Sequence, residues 1–135
     1  MILEYTPDNL KLVSKLILNN LTPDLLPKKW IKRNESNPMF GHCHTASSCL
    51  QKIFGTKVIK LYRALDDENI YHWWAVDKEG QQIDLTSDQY YSTNRKPPYE
   101  NGVKSGMLGF EYRIRVLTLL DKVLKQLQST MAPLD

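Results

Sequence analysis

Apolar residues recur at intervals of three or four in two stretches of the 135-residue chain. The first stretch predicts a helix over residues 7–20, which opens with a threonine as N-cap and a proline in the first turn. The second predicts a helix over residues 43–54, with Gly55 behind it as a stop signal. Residues 21–42 hold three prolines and a glycine, and we interpret them as turns and loop.

The next part of the chain has the composition of β-strands. Three runs rich in β-branched and aromatic residues are separated by polar turn residues, and they predict an antiparallel meander over residues 57–65, 70–76 and 81–86. Alternating apolar residues predict a fourth strand over 110–116, followed by a closing helix over 117–128. Residues 87–109, rich in Tyr and Pro, are interpreted as a partly ordered surface loop that forms one wall of a cleft. The expected fold class is α+β, with residues 1–135 in a single domain.

Composition and charge narrow the class of function. The 18 Lys and Arg residues exceed the 15 Asp and Glu residues by three, which falls short of the clustered basic surface typical of a nucleic-acid binder. No apolar run approaches the length of about 20 residues that a membrane span needs, and the N-terminal residues do not resemble a signal peptide. We therefore expect a cytoplasmic protein with no membrane partner; nothing in the sequence predicts a cofactor or an oligomeric state.

Cys43 is the first residue that suggests chemistry. It lies at the predicted start of a helix, where unpaired N–H groups and the helix dipole stabilise a thiolate. Cys49 follows six residues later on the same predicted helix, so the two side chains point in different directions and a disulfide between them is not expected. A helical cysteine with no further partner is usually a small core residue, so position alone does not establish a nucleophile.

Two further residues make a catalytic triad conceivable. A hairpin with a three-residue loop centred on Lys78 would place His72 directly opposite Asp84, on the same face of the two strands. The carboxylate could then hold one imidazole nitrogen while the other nitrogen faces Cys43. Taken singly, a core histidine and a turn aspartate would be the simpler interpretation of these two residues.

The motifs in residues 41–89, which we treat as the triad core, resemble a known group of proteins. They are Gly41-His42-Cys43-His44, His72-Trp73-Trp74 and Ile83-Asp84-Leu85-Thr86, with Gln89 shortly after. This order is similar to the short YunG-like proteins of bacteria and phages, and to the wider papain-like and transglutaminase-like superfamily of cysteine enzymes. The resemblance implies an N-terminal helix, a nucleophile helix packed on an antiparallel sheet of about four strands, and a C-terminal helix. It also implies Cys43 as nucleophile, His72 as base and Asp84 as the residue that orients the base.

An oxyanion hole is the part of this pattern that is missing from the sequence. Many papain-like enzymes place a Gln before the cysteine, and none precedes Cys43. The backbone N–H of Cys43 and a side chain could supply the donors instead. The candidates for oxyanion or substrate binding are Asn34, Asn37, His42, Trp74, Gln89 and Tyr90.

The resemblance and the triad together predict a thiol hydrolase, such as a thiol protease, or an acyltransferase. Its substrate would be a peptide, an isopeptide or another acyl compound, including acyl groups on proteins, and it would work through a thioester. The first alternative is a non-catalytic binding or inhibitor protein, of a kind that a phage could encode, on the same scaffold. The second is a metal site built from His42, Cys43, His44 and Cys49, but their spacing does not follow the paired knuckles of structural zinc sites.

Overall fold

The computed structural model describes residues 2–106 and 108–131. Within these residues, five α-helices and one antiparallel sheet of four strands form an α+β fold. The helices are α1 Pro7–Asn19, α2 Lys28–Ser36, α3 Cys43–Phe54, α4 Asp88–Tyr91 and α5 Phe110–Met131. The strands are β1 Ile59–Leu65, β2 Tyr71–Asp77, β3 Gln82–Ile83 and β4 Val103–Ser105, and they lie in the order β3-β2-β1-β4. Short 3-10 helices occur at Pro23–Leu25 and Tyr99–Asn101.

Helix α3 is the centre of the molecule. Ten of its 12 residues are buried, because α1 and α5 cover one side of it and the sheet covers the other. Its Leu50 and Ile53 are fully buried in the main core, together with Val13 of α1, Ala75 of β2 and Val123 of α5. Truncating a core leucine of this kind typically costs about 2–5 kcal/mol. The start of α3 is therefore held in place by packing along almost its whole length.

Local signals in the sequence explain where α1 and α3 begin and end. The hydroxyl oxygen of Thr6 accepts the N–H of Asn9 at 3.1 Å, which caps the start of α1. Gly55 ends α3 with a φ of +97°, a conformation that side chains other than glycine rarely adopt, and its N–H donates to the carbonyl of Gln51. The prediction of both helices is confirmed.

The meander of β1, β2 and β3 is also confirmed, and an aspartate organises each of its turns. Asp66 Oδ1 accepts the N–H groups of Glu68 and Ile70 between β1 and β2. Asp77 Oδ1 accepts two N–H groups in the same way between β2 and β3, where Gly80 has a φ of +84°. Each carboxylate accepts backbone N–H groups of the turn that water would otherwise bind. This fixes the turn, so the strands pair in a defined register.

The fourth strand was predicted in the wrong place. Residues 110–116 belong to α5, in which Val116, Leu119 and Val123 are fully buried at helical spacing while Ile114 is half exposed. The observed fourth strand is β4, which pairs with β1 and lies inside the segment predicted as a loop. A short apolar alternation cannot distinguish a strand from one side of a helix, and the place beside β1 was already occupied.

Helix α2 was not predicted either. Its residues are mostly polar, Asn34 alone among them is buried, and the ring of Trp30 packs edge to face on that of Phe40. Helix α4 likewise adds structure to the predicted loop. In residues 2–106 and 108–131 no helix, α5 included, combines the length and hydropathy needed to cross a bilayer.

Candidate active site

Cys43 lies at the first turn of α3 and opens onto a cleft of about 330 Å³. The preceding Gly41 has a φ of +87°, and a β-carbon there would come within 2.8 Å of the Leu26 side chain, so the sharp approach to the helix requires glycine. Cys43 is 8% exposed and packs against Leu61 and Trp73. Among the described residues, no acceptor takes the N–H groups of Cys43 and His44, so the helix start presents free donors beside the thiol.

His72 and Asp84 form the contact that the sequence predicted. The Nε2 atom of His72 lies 2.6 Å from Oδ2 of Asp84, and the two side chains are 0% and 4% exposed. Tyr99 also donates its hydroxyl proton to Oδ2 of Asp84 at 2.8 Å, and the N–H of Thr86 donates to Oδ1 at 3.3 Å. The carboxylate is therefore held from three sides, and this fixes the ring that it contacts.

The register that makes this contact differs from the predicted one. Strand β2 pairs with β3 as Ala75 with Ile83, because the three-residue loop is centred on Glu79 and not on Lys78. Asp84 is consequently two residues from the position directly opposite His72. A shift of two preserves the face of the strand, whereas a shift of one would have reversed it. The two residues are diagonal neighbours, and their side chains still meet.

The environment of His72 favours the charged imidazole. Burial by itself lowers the pKa of the ring, but the hydrogen bonds and charges of Asp84 and Cys43 outweigh it and raise the pKa of His72 to about 9. A histidine with this pKa stays protonated at neutral pH. It is suited to pair with a thiolate at Cys43 and to deliver a proton afterwards.

Gln89 connects His72 to the cleft. It is buried, lines the cleft, and directs its side-chain amide nitrogen to Nδ1 of His72 at 3.3 Å and to the hydroxyl of Thr86 at 3.0 Å. Helix α4 holds it there, and Asn37 donates to its backbone carbonyl at 2.9 Å. Of the six residues predicted for oxyanion or substrate binding, Gln89 is the one that reaches the cleft.

The other five predicted residues do not line the cleft and pack within the fold instead. Asn34 uses both amide N–H groups on the carbonyls of Pro38 and Phe40, and Asn37 holds the backbone of Gln89, so neither lines the cleft. His42 is fully buried away from the cleft, and neither ring nitrogen has a partner among the described residues. Burial lowers the pKa of His42 to about 4, so it is neutral.

Trp74 and Tyr90 were predicted as substrate contacts, and the structure places them around the base. The ring of Trp74 stacks on His72 at 5.7 Å between centroids, and the ring of Tyr90 meets it edge to face at 4.7 Å. Both are at most 2% exposed, and the Tyr90 hydroxyl donates to Asp66. They exclude water from His72 and fix its orientation, which strengthens its contact with Asp84.

The walls of the cleft come mainly from residues that sequence reasoning did not select. Most of them are aromatic or basic, and Gln89 and Leu108 are the contribution of the segment predicted to form a wall. The remaining lining residues are Lys29, Trp30, Phe40, Gly41, His44, Arg63, Asn69, Ile70, Tyr71, Trp73 and Tyr112. Strand alternation on β1 could have identified Arg63, since it shares a face with Ile59 and Leu61. No local signal predicts that Tyr112 lines the cleft, because the sequence pattern predicts a strand over its segment.

The alternative metal site finds no support in the geometry of the described residues. Among residues 2–106 and 108–131, no group of three or more His, Cys, Asp or Glu side chains is placed to hold a metal ion. Cys43 and Cys49 are both free thiols. Cys49 is fully buried, and burial raises its pKa to about 12.

Comparison with known protein families identifies the relatives of this chain. A model of the family described as YunG protein matches residues 15–128, most of the sequence. The chain belongs to the YunG family. The YunG match includes Cys43, His72 and Asp84. Searches of curated proteins and of solved structures returned no match.

Proposed function

We propose that this YunG-family protein is a cysteine-dependent hydrolase or acyltransferase that cleaves an amide, isopeptide or ester bond through a thioester. The single observation that carries the proposal is the placement of Cys43 at a cleft, beside a buried His72 whose Nε2 is fixed by Asp84 at 2.6 Å. The order Cys, His, Asp on a helix, a strand and the end of a hairpin supports a papain-like or transglutaminase-like relationship as part of the same proposal.

In the first half-reaction, the Cys43 thiolate attacks the carbonyl carbon of the substrate. A C–S bond forms, and the carbonyl electrons move onto oxygen. When the C=O bond re-forms, the bond to the leaving nitrogen or oxygen breaks, and His72 donates its proton to the leaving group. The products are a thioester on Cys43, a neutral imidazole and a free amine or alcohol.

The second half-reaction restores the starting state. Water or an amine attacks the thioester, and His72 takes up the proton that the attacking group loses. The thiolate of Cys43 then leaves as the carbonyl re-forms. His72 is again protonated, so the protons of the whole cycle balance.

Gln89 supplies a donor for the oxyanion in this scheme. A neutral His72 accepts one amide N–H of Gln89 at Nδ1, whereas a protonated His72 has no lone pair there to accept it. Charging the imidazole therefore releases an N–H at the cleft, next to the free backbone N–H of Cys43. These two groups replace the Gln that precedes the cysteine in many papain-like enzymes.

The test is selective alkylation of the folded protein by iodoacetamide at neutral pH. We expect Cys43 to react well before Cys49, which is buried and has a raised pKa. His72→Gln should slow Cys43 by about tenfold or more, because the thiolate loses its cationic partner. Cys49→Ala is the control and should leave the rate unchanged. Equal reactivity of the two cysteines would refute the proposal.

A second measurement separates the enzyme from the non-catalytic alternative. Incubation with a reactive aryl ester should leave an acyl group on Cys43 that mass spectrometry detects and that an added amine removes. A fast thiol that forms no thioester with any ester or amide reporter would favour a binding protein. The two free cysteines agree with a reducing compartment, and a cytoplasmic location is part of this proposal.

A further inference from the structure

The charge of the cleft in front of Cys43 is one-sided. Its lining residues include Lys29 and Arg63, and no Asp or Glu is among the described residues that line it. The acidic groups of the site lie behind the nucleophile, where Asp84 is already occupied by His72 and Tyr99. A substrate entering the cleft therefore meets positive charge on the walls.

Arg63 is the better defined of the two cations. It extends from β1 opposite Trp73 of β2, and its guanidinium lies over the rings of Tyr71 at 4.4 Å and Trp73 at 5.5 Å. These contacts hold the group on its faces and leave the N–H groups at its edge available. The side chain is half-buried, so its charge is only partly screened by water.

Among the described residues, Arg63 has no carboxylate partner, unlike Arg33 and Arg95. Arg33 pairs with Glu68, and Arg95 pairs with Asp66, Asp67 and Glu68. Among the described residues, no carboxylate lies within 4.0 Å of Arg63. A half-buried guanidinium without an anion keeps its N–H donors available for a carboxylate on a ligand.

Lys29 and the aromatic walls complete the pattern. Lys29 is exposed, lies over the ring of Trp30 at 4.8 Å and also lines the cleft, so its charge adds to that of Arg63. Trp30, Phe40 and Tyr112 give the cleft apolar surface between the charges. Apolar walls with a few convergent polar groups are typical of small-molecule and peptide sites.

We infer that the substrate carries a carboxylate close to the bond that is cleaved, and that Arg63 binds it, with Lys29 adding attraction at the cleft mouth. This inference rests on the proposed function, because it assigns the substrate class of the Cys43 site. The chemical class is an amide or ester of an anionic acyl compound or peptide, with an apolar portion against the aromatic walls. Arg63 determines specificity, and the triad performs the chemistry.

The experiment compares two alkylating reagents that differ in charge. Iodoacetate and iodoacetamide both form an S–C bond with Cys43 and release iodide, but only iodoacetate carries a carboxylate. We expect the iodoacetate to iodoacetamide rate ratio to be higher for Cys43 than for glutathione. Arg63→Gln should lower the ratio by about threefold or more, and Lys29→Gln should lower it less, because Lys29 is more exposed.

Matched variants distinguish local recognition from net charge. Lys57→Gln removes the same charge at an exposed position that does not line the cleft, and it should leave the ratio unchanged. Arg63→Lys keeps the charge, so its iodoacetate to iodoacetamide ratio should lie between those of the wild-type protein and Arg63→Gln. High salt should lower the ratio of the wild-type protein, since screening weakens the attraction.

Failure of the inference and failure of the proposed function give different results. If Cys43 reacts slowly with both reagents, the proposed function is wrong. If it reacts fast with iodoacetamide but Arg63→Gln leaves the ratio unchanged, the anionic substrate class is wrong and the triad stands. Should Arg63→Gln not fold, the wild-type protein decides with charged methanethiosulfonates. The sulfonatoethyl reagent must then outpace the trimethylammonioethyl reagent relative to glutathione, and the opposite order overturns the inference.

Discussion

Two buried histidines, His44 and His72, lie near Cys43. His44 is 3% exposed and faces the cleft, and His72 is fully buried on β2. Burial lowers the pKa of His44 to about 4, whereas the pKa of His72 is raised to about 9. Their degree of burial is nearly the same, so burial cannot explain the difference.

The difference comes from the partners of each ring. His44 Nε2 accepts the N–H of Leu108 at 3.2 Å and lies 3.3 Å from the hydroxyl of Ser48, and neither group is charged. His72 has the carboxylate of Asp84 on one nitrogen and receives a further contribution from Cys43. A desolvated imidazole stays neutral among neutral partners and becomes cationic beside a carboxylate. The thiol at the start of α3 therefore has both a neutral and a charged imidazole ring nearby.

The largest expected effect comes from removing the charge that distinguishes the two rings. Asp84→Asn should reduce turnover by up to about 10⁴-fold, the loss that neutralising the orienting carboxylate of a Ser-His-Asp triad causes. The pKa of His72 should fall toward that of His44, because the carboxylate no longer offsets the effect of desolvation. NMR titration of the imidazole measures the shift, and acylation kinetics measure the loss.

Asp77→Asn is the matched control for that change. Asp77 is also a buried carboxylate that accepts a tyrosine hydroxyl at 2.8 Å, but its partner is Tyr5, away from the cleft. Its substitution should lower stability and leave the reactivity of Cys43 intact. If both variants lower reactivity equally, Asp84 acts only through the fold.

The next effect is on the pH dependence of turnover. Acylation needs protonated His72, so turnover should fall as the pH rises through about 9, by about tenfold per pH unit beyond it. Alkylation of the thiolate needs no proton donor and should not fall over the same range. Stopped-flow acylation and iodoacetamide rates measured from pH 6 to 10.5 test this. A parallel decline of both rates would contradict the role of His72 as acid.

Stability should depend on pH in opposite directions for the two histidines. The pKa of His72 is raised in the folded state, so its contribution is complete below about 6.5 and is lost as the pH rises through about 9. The pKa of His44 is lowered, so its contribution is present above about 6.5 and is lost as the pH falls through about 4. In urea unfolding across this range, His72→Gln should remove the alkaline slope. His44→Gln should reduce the acid slope in part, because the pKa of buried His42 is also lowered to about 4. A variant that keeps its slope would show that another group titrates.

A smaller effect is expected from the tyrosine that contacts Asp84. Tyr99→Phe removes the hydroxyl that donates to Asp84, while Tyr5→Phe removes the equivalent hydroxyl from Asp77. Each change should cost about 1 kcal/mol of unfolding free energy. Only Tyr99→Phe should also change the rate of Cys43, by several-fold, because only Tyr99 contacts the triad. Equal rates in the two variants would show that Tyr99 is structural alone.

The smallest expected effect is the NMR signal of His44 itself. Because its pKa is about 4, its ring should stay neutral and its chemical shifts should stay constant between pH 5.5 and 8. Any titration of His44 in that range would mean that the cleft holds an anion near it, which would sharpen the comparison with His72.

Much of the site was accessible from the sequence because its signals are local. The start of α3 follows from glycine geometry and helical spacing, and the short hairpin keeps His72 and Asp84 within reach of each other. The contact survived an error of two residues in the register, since only an odd shift would have separated the faces. The catalytic roles of the three residues stay predictions.

The walls of the cleft were less accessible, because they join residues distant in the chain. Lys29 lies on a helix that was not predicted, and Tyr112 lies on a helix that was predicted as a strand. The tyrosines of residues 87–109 were expected to face substrate, but Tyr90 packs on His72 and Tyr99 binds Asp84. The composition shows that the segment is rich in aromatic residues, but it does not determine which way their side chains point.

The sequence by itself determined the elements whose causes lie within a few residues: α1 with its Thr6 cap, α3 with its glycine stop, and the β-meander with its aspartate turns. Tertiary structure alone decided that residues 110–116 form a helix, while β4 is the strand that pairs with β1. It also decided the charge of His72 and the exposure of Arg63 to the cleft. The physical reason is the distance along the chain over which each interaction acts. Caps and turns are formed by residues a few positions apart. The burial of a side chain, its local dielectric and its charged neighbours depend on every element packed around that side chain.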